Sequence, residues 1–581
     1  MYTKKIVLLL STFLLWGAML WGQQPAKYWV QFTDKNNSPY SINNPEEFLS
    51  PRAIENRQMY HIPCTEEDLP VNASYIKEVL SLDSGMRLYT SSKWLNGITV
   101  YSEKEGIEQA IRALPHVLFC EKTISLKEIE KPEKRMEMLV RVLGKRETPL
   151  TGAPCYMLHD LDYGNAREQI RLNNAHWLHR MGFRGEDVVI MVLDGGFLNA
   201  DSLRHFQKLR DDGRLLGLRN MVSPGINPCR ANTHGTMVLS CIASDVPGDL
   251  IGTAPAAQVY LCQTEDGCGE NKIEEDNWVA GIEWADSLGC QVVNSSLGYT
   301  VFDDTIAQPR HYADLNGRVS RASIAASIAA RKGLLICNSA GNSGAKKWRY
   351  TGAPAEANDI ISVGAVDSAG TKAPFSSFGP TADGRVKPEA CAVGYRTYIA
   401  HPRGTTTRAN GTSFAAPLLS GMVACLRQAF PEVPTPKIRE AICLSGSQAQ
   451  TPDSALGYGI TDFLKTYNLL KSNHDIVDEN GNEYLHFSFP RYQVGQKQKL
   501  PIHLFAKRNT SITMRARLKL PEQQSNQKPK NKWISKTFSA EQGNNEFFMP
   551  MPNLLKNMNF GIIELEISGE GFQKYFIIGK E

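Results

Sequence analysis

Between residues 166 and 470, short apolar runs alternate with helix-length segments, and this alternation restricts the fold more than any other feature of the chain. Residues 188–193, Val-Val-Ile-Met-Val-Leu, form an unbroken apolar run, as a strand covered on both faces requires. Residues 258–261, 291–294, 333–337 and 360–363 read in the same way. Between them, 276–288 and the alanine-rich 323–331 carry helical spacing. The pattern predicts an α/β domain with a doubly wound, mostly parallel sheet. Sheets of this kind place ligands at the carboxyl ends of their strands.

The flanking segments differ in kind. Residues 1–22 read as an export signal: Lys4 and Lys5, an apolar run over 6–20, then Gly22 before Gln23 and Gln24. The run is close to the minimum of about 17 residues that spans a bilayer, so a membrane anchor is the alternative. The flanks favour removal, after which no stable membrane insertion is expected. Residues 27–122 read as a small α+β unit in a split βαβ arrangement, with strands at 28–32, 97–101 and 117–120 and helical spacing over 103–114. Residues 127–146 are rich in Lys, Arg and Glu and read as a linker with some helix. Residues 484–489, 500–505 and 512–518 alternate at period two, 561–567 and 574–578 less cleanly, which predicts a β-sandwich of about 100 residues.

Charge and cysteine content exclude other classes. Lys+Arg number 64 against 60 Asp+Glu, and no basic stripe with interleaved aromatics exists, so no nucleic-acid partner is expected. The 12 cysteines are compatible with disulfides in an exported chain. No Cys-x-x-Cys occurs, which disfavours a redox or zinc motif. Cys241, Cys425 and Cys443 lie in helix-like apolar segments and read as buried thiols. Cys262 and Cys268 flank a glycine-containing loop and are the pair to test for a bridge.

Four short strings carry chemistry. Asp194 follows the 188–193 run, hence lies at the carboxyl edge of the sheet. There it can accept from an imidazole N–H and stabilise an imidazolium, or it can bind a ribose or cap a loop. His234 sits in Thr233-His234-Gly235-Thr236-Met237-Val238. With an ordinary pKa of about 6.5 it is mostly neutral near pH 7 and can act as a general base, although a lone His is more often a surface or core residue. Gly235 would keep the space beside its ring open. Ser413, in Gly411-Thr412-Ser413-Phe414-Ala415-Ala416-Pro417, opens a helix with its hydroxyl at the N-terminus. Gly411 lets a substrate backbone come close, and Pro417 is tolerated in the first turn. The plain alternative is a serine N-cap. Asn342, in Ser339-Ala340-Gly341-Asn342-Ser343-Gly344, reads in isolation as a turn residue. No Gly-x-Ser-x-Gly and no His-Glu-x-x-His exists, which disfavours an α/β-hydrolase and a zincin.

Together these strings resemble the subtilase family. Residues 411–417 look like its Gly-Thr-Ser-x-Ala-x-Pro nucleophile motif, and a chance match anywhere in the chain has odds on the order of 10⁻⁴. Residues 234–238 resemble its His-Gly-Thr-x-Val helix start, and the order Asp, His, Ser is the subtilisin order. The resemblance covers about 164–470 and includes 294–298 and 379–388. It implies a subtilisin-like doubly wound α/β domain at 164–472 and a propeptide at 27–122; composition and alternation add a charged linker at 123–163 and a C-terminal β-sandwich at 480–581. It implies a triad of Asp194, His234 and Ser413, with Asn342 and the Ser413 N–H donating to the oxyanion. Ser296, Leu297, Gly298, Ala340 and Gly341 are implied as subsite residues on strands that flank an extended peptide. One departure stands out: the family usually has Ser or Thr between Asp and Gly, where this chain has Gly195.

The implied activity is that of a secreted serine endopeptidase, made as a propeptide-inhibited zymogen and cut between about residues 122 and 151. Its expected partners are protein or peptide substrates and its own propeptide, and its expected location is the cell envelope or the exterior. No cofactor is required; structural calcium is left open, since no Asp-x-Asp-x-Asp-Gly loop is present. Three rivals remain at this level: a non-catalytic scaffold, a protein that cuts only itself, and an esterase with the same triad.

Overall fold

The computed structural model describes residues 25–125, 161–267, 269–303 and 309–471, and then 476–477, 483–488, 499–506, 510–518, 533–540, 543–550, 561–569 and 572–580. The expected export signal, most of the linker, Cys268 and the polar 523–532 loop lie outside the described residues.

An N-terminal antiparallel sheet holds β1 (Ala26–Phe32), β2 (Arg87–Ser92), β3 (Gly97–Ser102) and β4 (Val117–Ser125) in the order β2-β3-β1-β4. Helices α1 (Pro51–Met59) and α2 (Ala73–Ser81) fall between β1 and β2, and α3 (Ile107–Arg112) between β3 and β4. Ser50 caps α1 by accepting from the Ala53 N–H, and Pro51 takes the first helical position, where its missing N–H leaves nothing unpaired.

The central sheet has seven strands: β5 (Val189–Asp194), β6 (Leu215–Asn220), β7 (Gln258–Gln263), β8 (Val292–Ser295), β9 (Leu335–Ser339), β10 (Ile361–Val366) and β11 (Ala390–Val393). They lie in the order β11-β10-β9-β8-β5-β7-β6, all parallel. Strand β5 shows why its sequence is apolar without alternation. Ile190 and Val192 enter the core on one face, while Val189, Met191 and Leu193 enter the core on the other. Helices α4 (His234–Ala243) and α7 (Thr412–Ala429) cover the first face. Helices α5 (Ile273–Ser287) and α6 (Arg321–Arg331) cover the second. Helix α7 is buried from Thr412 to Arg427, as expected of a helix with apolar residues on every side.

The N-terminal sheet rests on the α5/α6 face. Trp94 enters that core. Glu283 of α5 accepts from the Ser92 hydroxyl at 2.5 Å and from the Lys93 and Trp94 N–H groups at 2.8 and 3.1 Å. Asp286 pairs with Arg57 at 2.8 Å and with Lys93 at 2.7 Å, all three nearly excluded from solvent.

After α8 (Phe463–Lys471) come two four-stranded antiparallel sheets. One contains β12 (Ile476–Val477), β13 (Glu483–Ser488), β14 (Lys499–Ala506) and β17 (Gly543–Pro550). The other contains β15 (Thr510–Leu518), β16 (Ile534–Ala540), β18 (Gly561–Gly569) and β19 (Phe572–Lys580). Asn468 of α8 clamps β19, donating to the Ile577 carbonyl and accepting its N–H, each at 2.7 Å.

Every described cysteine is a free thiol. Cys241, Cys425 and Cys443 are buried, as their apolar settings predict. Cys262 is likewise a buried free thiol, inside β7, and its candidate partner Cys268 lies outside the described residues. No helix among the described residues is long and apolar enough to cross a membrane.

Candidate active site

Asp194 is the last residue of β5 and is fully buried. Its Oδ1 accepts from the Gly195 N–H and pairs with His234 Nδ1, both at 2.8 Å. Its Oδ2 is buried and has no hydrogen-bond partner. The turn that follows needs Gly196, whose φ of 140° is unfavourable for side chains and where a Cβ would lie 2.6 Å from the Asn232 nitrogen.

His234 is the first residue of α4. Thr233 precedes it but makes no capping bond; Asn232 does this instead, its Oδ1 accepting the His234 N–H at 2.9 Å. The Gly235 N–H donates to the Gly196 carbonyl at 3.0 Å, and a Cβ on residue 235 would meet that oxygen at 2.4 Å. Gly235 therefore seats the helix against the Asp194 turn, which is a different role from the open space beside the ring that the sequence suggested. The His234 side chain is 32% exposed. Burial lowers its pKa, but the charge and hydrogen bond of Asp194 outweigh that loss, and the net shift is upward from the ordinary 6.5.

Ser413 lies one residue into α7 and is 8% exposed. Its hydroxyl donates to the Ser296 carbonyl at 3.3 Å, and the Ser296 hydroxyl donates back to the Ser413 carbonyl at 2.9 Å. The next residue, Phe414, places its ring 5.9 Å from the His234 ring. Asp194 and His234 thus pair where the carboxyl end of β5 meets the N-terminus of α4, and Phe414 brings the N-terminus of α7 against the His234 ring, while the Ser413 hydroxyl bonds to Ser296 instead of His234.

Asn342, exposed just beyond β9, accepts at Oδ1 from the Thr412 N–H (2.9 Å) and the Thr412 hydroxyl (3.0 Å). The Thr412 hydroxyl in turn accepts the Gly341 N–H at 3.2 Å. With its oxygen committed to Thr412, Asn342 has its amide N–H groups free to donate beside Ser413. The other expected subsite residues divide. Gly298 is exposed and Leu297 half-buried, its carbonyl already accepting from Asn338 at 3.1 Å and Ser339 at 3.3 Å. Ala340 is fully buried and spends its N–H on the Val363 carbonyl at 2.9 Å. Gly341 has a φ of 104°.

Sequence reading passed over Thr412 and Asn232, though each stands within two residues of a motif residue and is a natural backbone-capping type. It also passed over three carboxylates. Glu265, Glu270 and Glu274 bring oxygens within 4.8 Å of one another, a set of hard donors of the kind a divalent cation takes. Burial, with help from the neighbouring acids, lifts Glu270 to about 7 and Glu274 to about 8, and raises Glu265 well above the carboxylate range. The Tyr299 hydroxyl donates to Glu265 at 2.8 Å. Glu265 sits beside the dyad: a Cβ on residue 195 would lie 3.7 Å from its own.

Residues 185–459 match the Subtilase family, and residues 27–137 match the Peptidase S8 propeptide domain of Bacteroidota. Subtilisin DY of Bacillus licheniformis is 28% identical over 275 residues, 47% of this chain and 88% of that one. The Thermostable alkaline protease of Halalkalibacterium halodurans is 26% identical over 288 residues, 49% and 69% of the two chains. Subtilisin E of Bacillus subtilis is 29% identical over 269 residues, 46% and 62% of the two chains.

Proposed function

Because the chain carries a subtilase peptidase domain and an S8 propeptide domain, and is therefore a serine endopeptidase, we propose that Asp194, His234 and Ser413 are its catalytic triad and that it is exported as an inhibited zymogen. The observation that carries the assignment is the 2.8 Å pair between buried Asp194 and His234, facing the N-terminus of the helix that bears Ser413.

His234 takes the Ser413 proton as the hydroxyl attacks a peptide carbonyl. Asp194 holds Nδ1 protonated, so that Nε2 is the base, and stabilises the imidazolium that forms. The tetrahedral oxyanion is held by the Asn342 amide and the Ser413 N–H. His234 then gives its proton to the leaving amine, and water repeats the sequence on the acyl-enzyme. The Ser413 hydroxyl bonds to the Ser296 carbonyl; alignment with His234 tightens when substrate binds, as catalytic hydrogen bonds commonly do. The mechanism calls on no cofactor. Exposed Gly298 and half-buried Leu297, with Ser296, Ala340 and Gly341, line the path of an extended substrate.

The N-terminal unit, 27–122, acts as inhibitor and folding aid, and the buried Arg57–Asp286–Lys93 contact supports a docked precursor. The segment before it, 1–22, directs export to the envelope or exterior, 123–163 is the linker that is cut, and 164–472 is the peptidase unit. The two C-terminal sheets form a β-sandwich over 480–581, a reading supported by Phe538 and Phe547, which meet from opposite sheets at 4.7 Å.

The test pairs wild type with Ser413→Ala. Wild type should shed its N-terminal unit, followed by mass spectrometry, and digest denatured casein at many turnovers. The variant should do neither. Two full-length, inert proteins would sink the reading.

A further inference from the structure

Asp194 is fully buried, and one of its two carboxylate oxygens has no donor. Buried acceptors are almost always paired, so an orphan in the middle of a proton-handling site calls for a reason. The residue that follows, Gly195, has no side chain to offer. Space is not what excludes one: a Cβ there would meet Asn232 Nδ2 at 3.5 Å, Asn232 Cγ at 3.7 Å and Glu265 Cβ at 3.7 Å, all ordinary contacts. Nor is the backbone in the left-handed region that demands glycine. Both neighbouring glycine roles, by contrast, are steric: Gly196 and Gly235 could not carry a Cβ where they stand.

We propose that Gly195 is a positioning residue that acts by withholding a hydrogen bond, leaving Asp194 Oδ2 bare so that the carboxylate charge is directed at His234. The proposal rests on the triad reading. A hydroxyl donor on residue 195 would share the carboxylate charge and weaken its pull on the imidazolium. The upward pKa of His234 agrees in sign. Among the described residues, Glu265 beyond β7 lies beside the pair, backed by Glu270 and Glu274. Helix α4 carries no ionisable group that titrates near neutrality besides His234, β8 carries none, and the sole charged residue of α7, Arg427, is bound near its C-terminus to the Val433 carbonyl at 2.6 Å.

The experiment measures kcat/KM on a peptide amide from pH 5 to 10 for mature wild type, Gly195→Ala and Gly195→Ser. Alanine fills the space without a donor and should keep the wild-type acid limb. Serine should move that limb down by about half a unit to one unit. Gly195→Thr repeats the serine test, and the downfield Nδ1–H resonance of His234 reads the same ionisation if a variant turns over too slowly. Serine and threonine limbs that coincide with alanine's would overturn the proposal, as would an alanine shift as large as serine's. An inert wild type would instead overturn the triad reading itself.

Discussion

Thr412 has no place in the proton relay, yet it holds the oxygen of Asn342 through both its N–H and its hydroxyl. Thr412→Val keeps the backbone bond and the volume but loses the hydroxyl. It should lower kcat more than it raises KM, because an amide free to rotate no longer presents its N–H to a developing oxyanion. Asn342→Ala should cost about 10²–10³ in kcat, a magnitude known for such a donor in a subtilisin. Steady-state kinetics on one peptide amide reads both, and a Thr412→Val effect confined to KM would refute the orienting role. The pH dependence belongs to this scale as well. In the proposed triad His234 acts as the neutral base, and Asp194 raises its pKa, so kcat/KM should fall as pH drops through a value above 6.5. The same shift means that His234 favours the folded state at low pH and that this contribution is lost as pH rises through the folded pKa.

Helix α4 delivers His234 to Asp194 by two contacts outside its own sequence of turns: the Asn232 cap and the seat of Gly235 on Gly196. Asn232→Ala should cost about 1 kcal/mol of stability, and a drop in thermal midpoint measures it. Gly235→Ala has no such mild outcome. Its Cβ would lie 2.4 Å from a carbonyl oxygen, so the helix must shift, and activity should fall far more than stability. Element boundaries also show what sequence patterns carry. The buried strands were legible because a strand covered on both faces is apolar throughout, as β5 is. Strand β6 was not, because at the sheet edge only Asn220 of its six residues is buried, and Leu218 and Arg219 face solvent. Strand β11 was missed although it is buried throughout, because Ala-Cys-Ala-Val is mostly small residues and carries little of the branched or aromatic signal of a strand.

For the whole molecule, the contact between the N-terminal unit and α5 sets how tightly the two hold together in the proposed precursor. Arg57 bridges Asp68 of its own unit, at 3.0 Å, and Asp286 of the peptidase unit, at 2.8 Å, with all three groups nearly dry. Removing one partner of such a network strands buried charge and typically costs 3–5 kcal/mol, so about that loss is expected for Arg57→Ala. In the uncut Ser413→Ala background, Arg57→Ala should lower the thermal midpoint and expose the N-terminal unit to added trypsin. An unchanged midpoint would show that the ion pairs contribute little to docking.

The strings around Asp194, His234, Asn342 and Ser413 were readable because each is contiguous, and the order of strands and helices followed from which segments must be apolar on both sides. What they do together was not. The bare oxygen of Asp194, the commitment of Asn342 to Thr412, the bond from Ser413 to Ser296 and the meeting of Glu265 with Tyr299 all join residues from different elements. The sequence settled which groups exist and which segments must be buried, because burial acts on each segment by itself. Only the tertiary structure decided which donor meets which acceptor, because a hydrogen bond depends on distances of a few ångströms that no local pattern encodes.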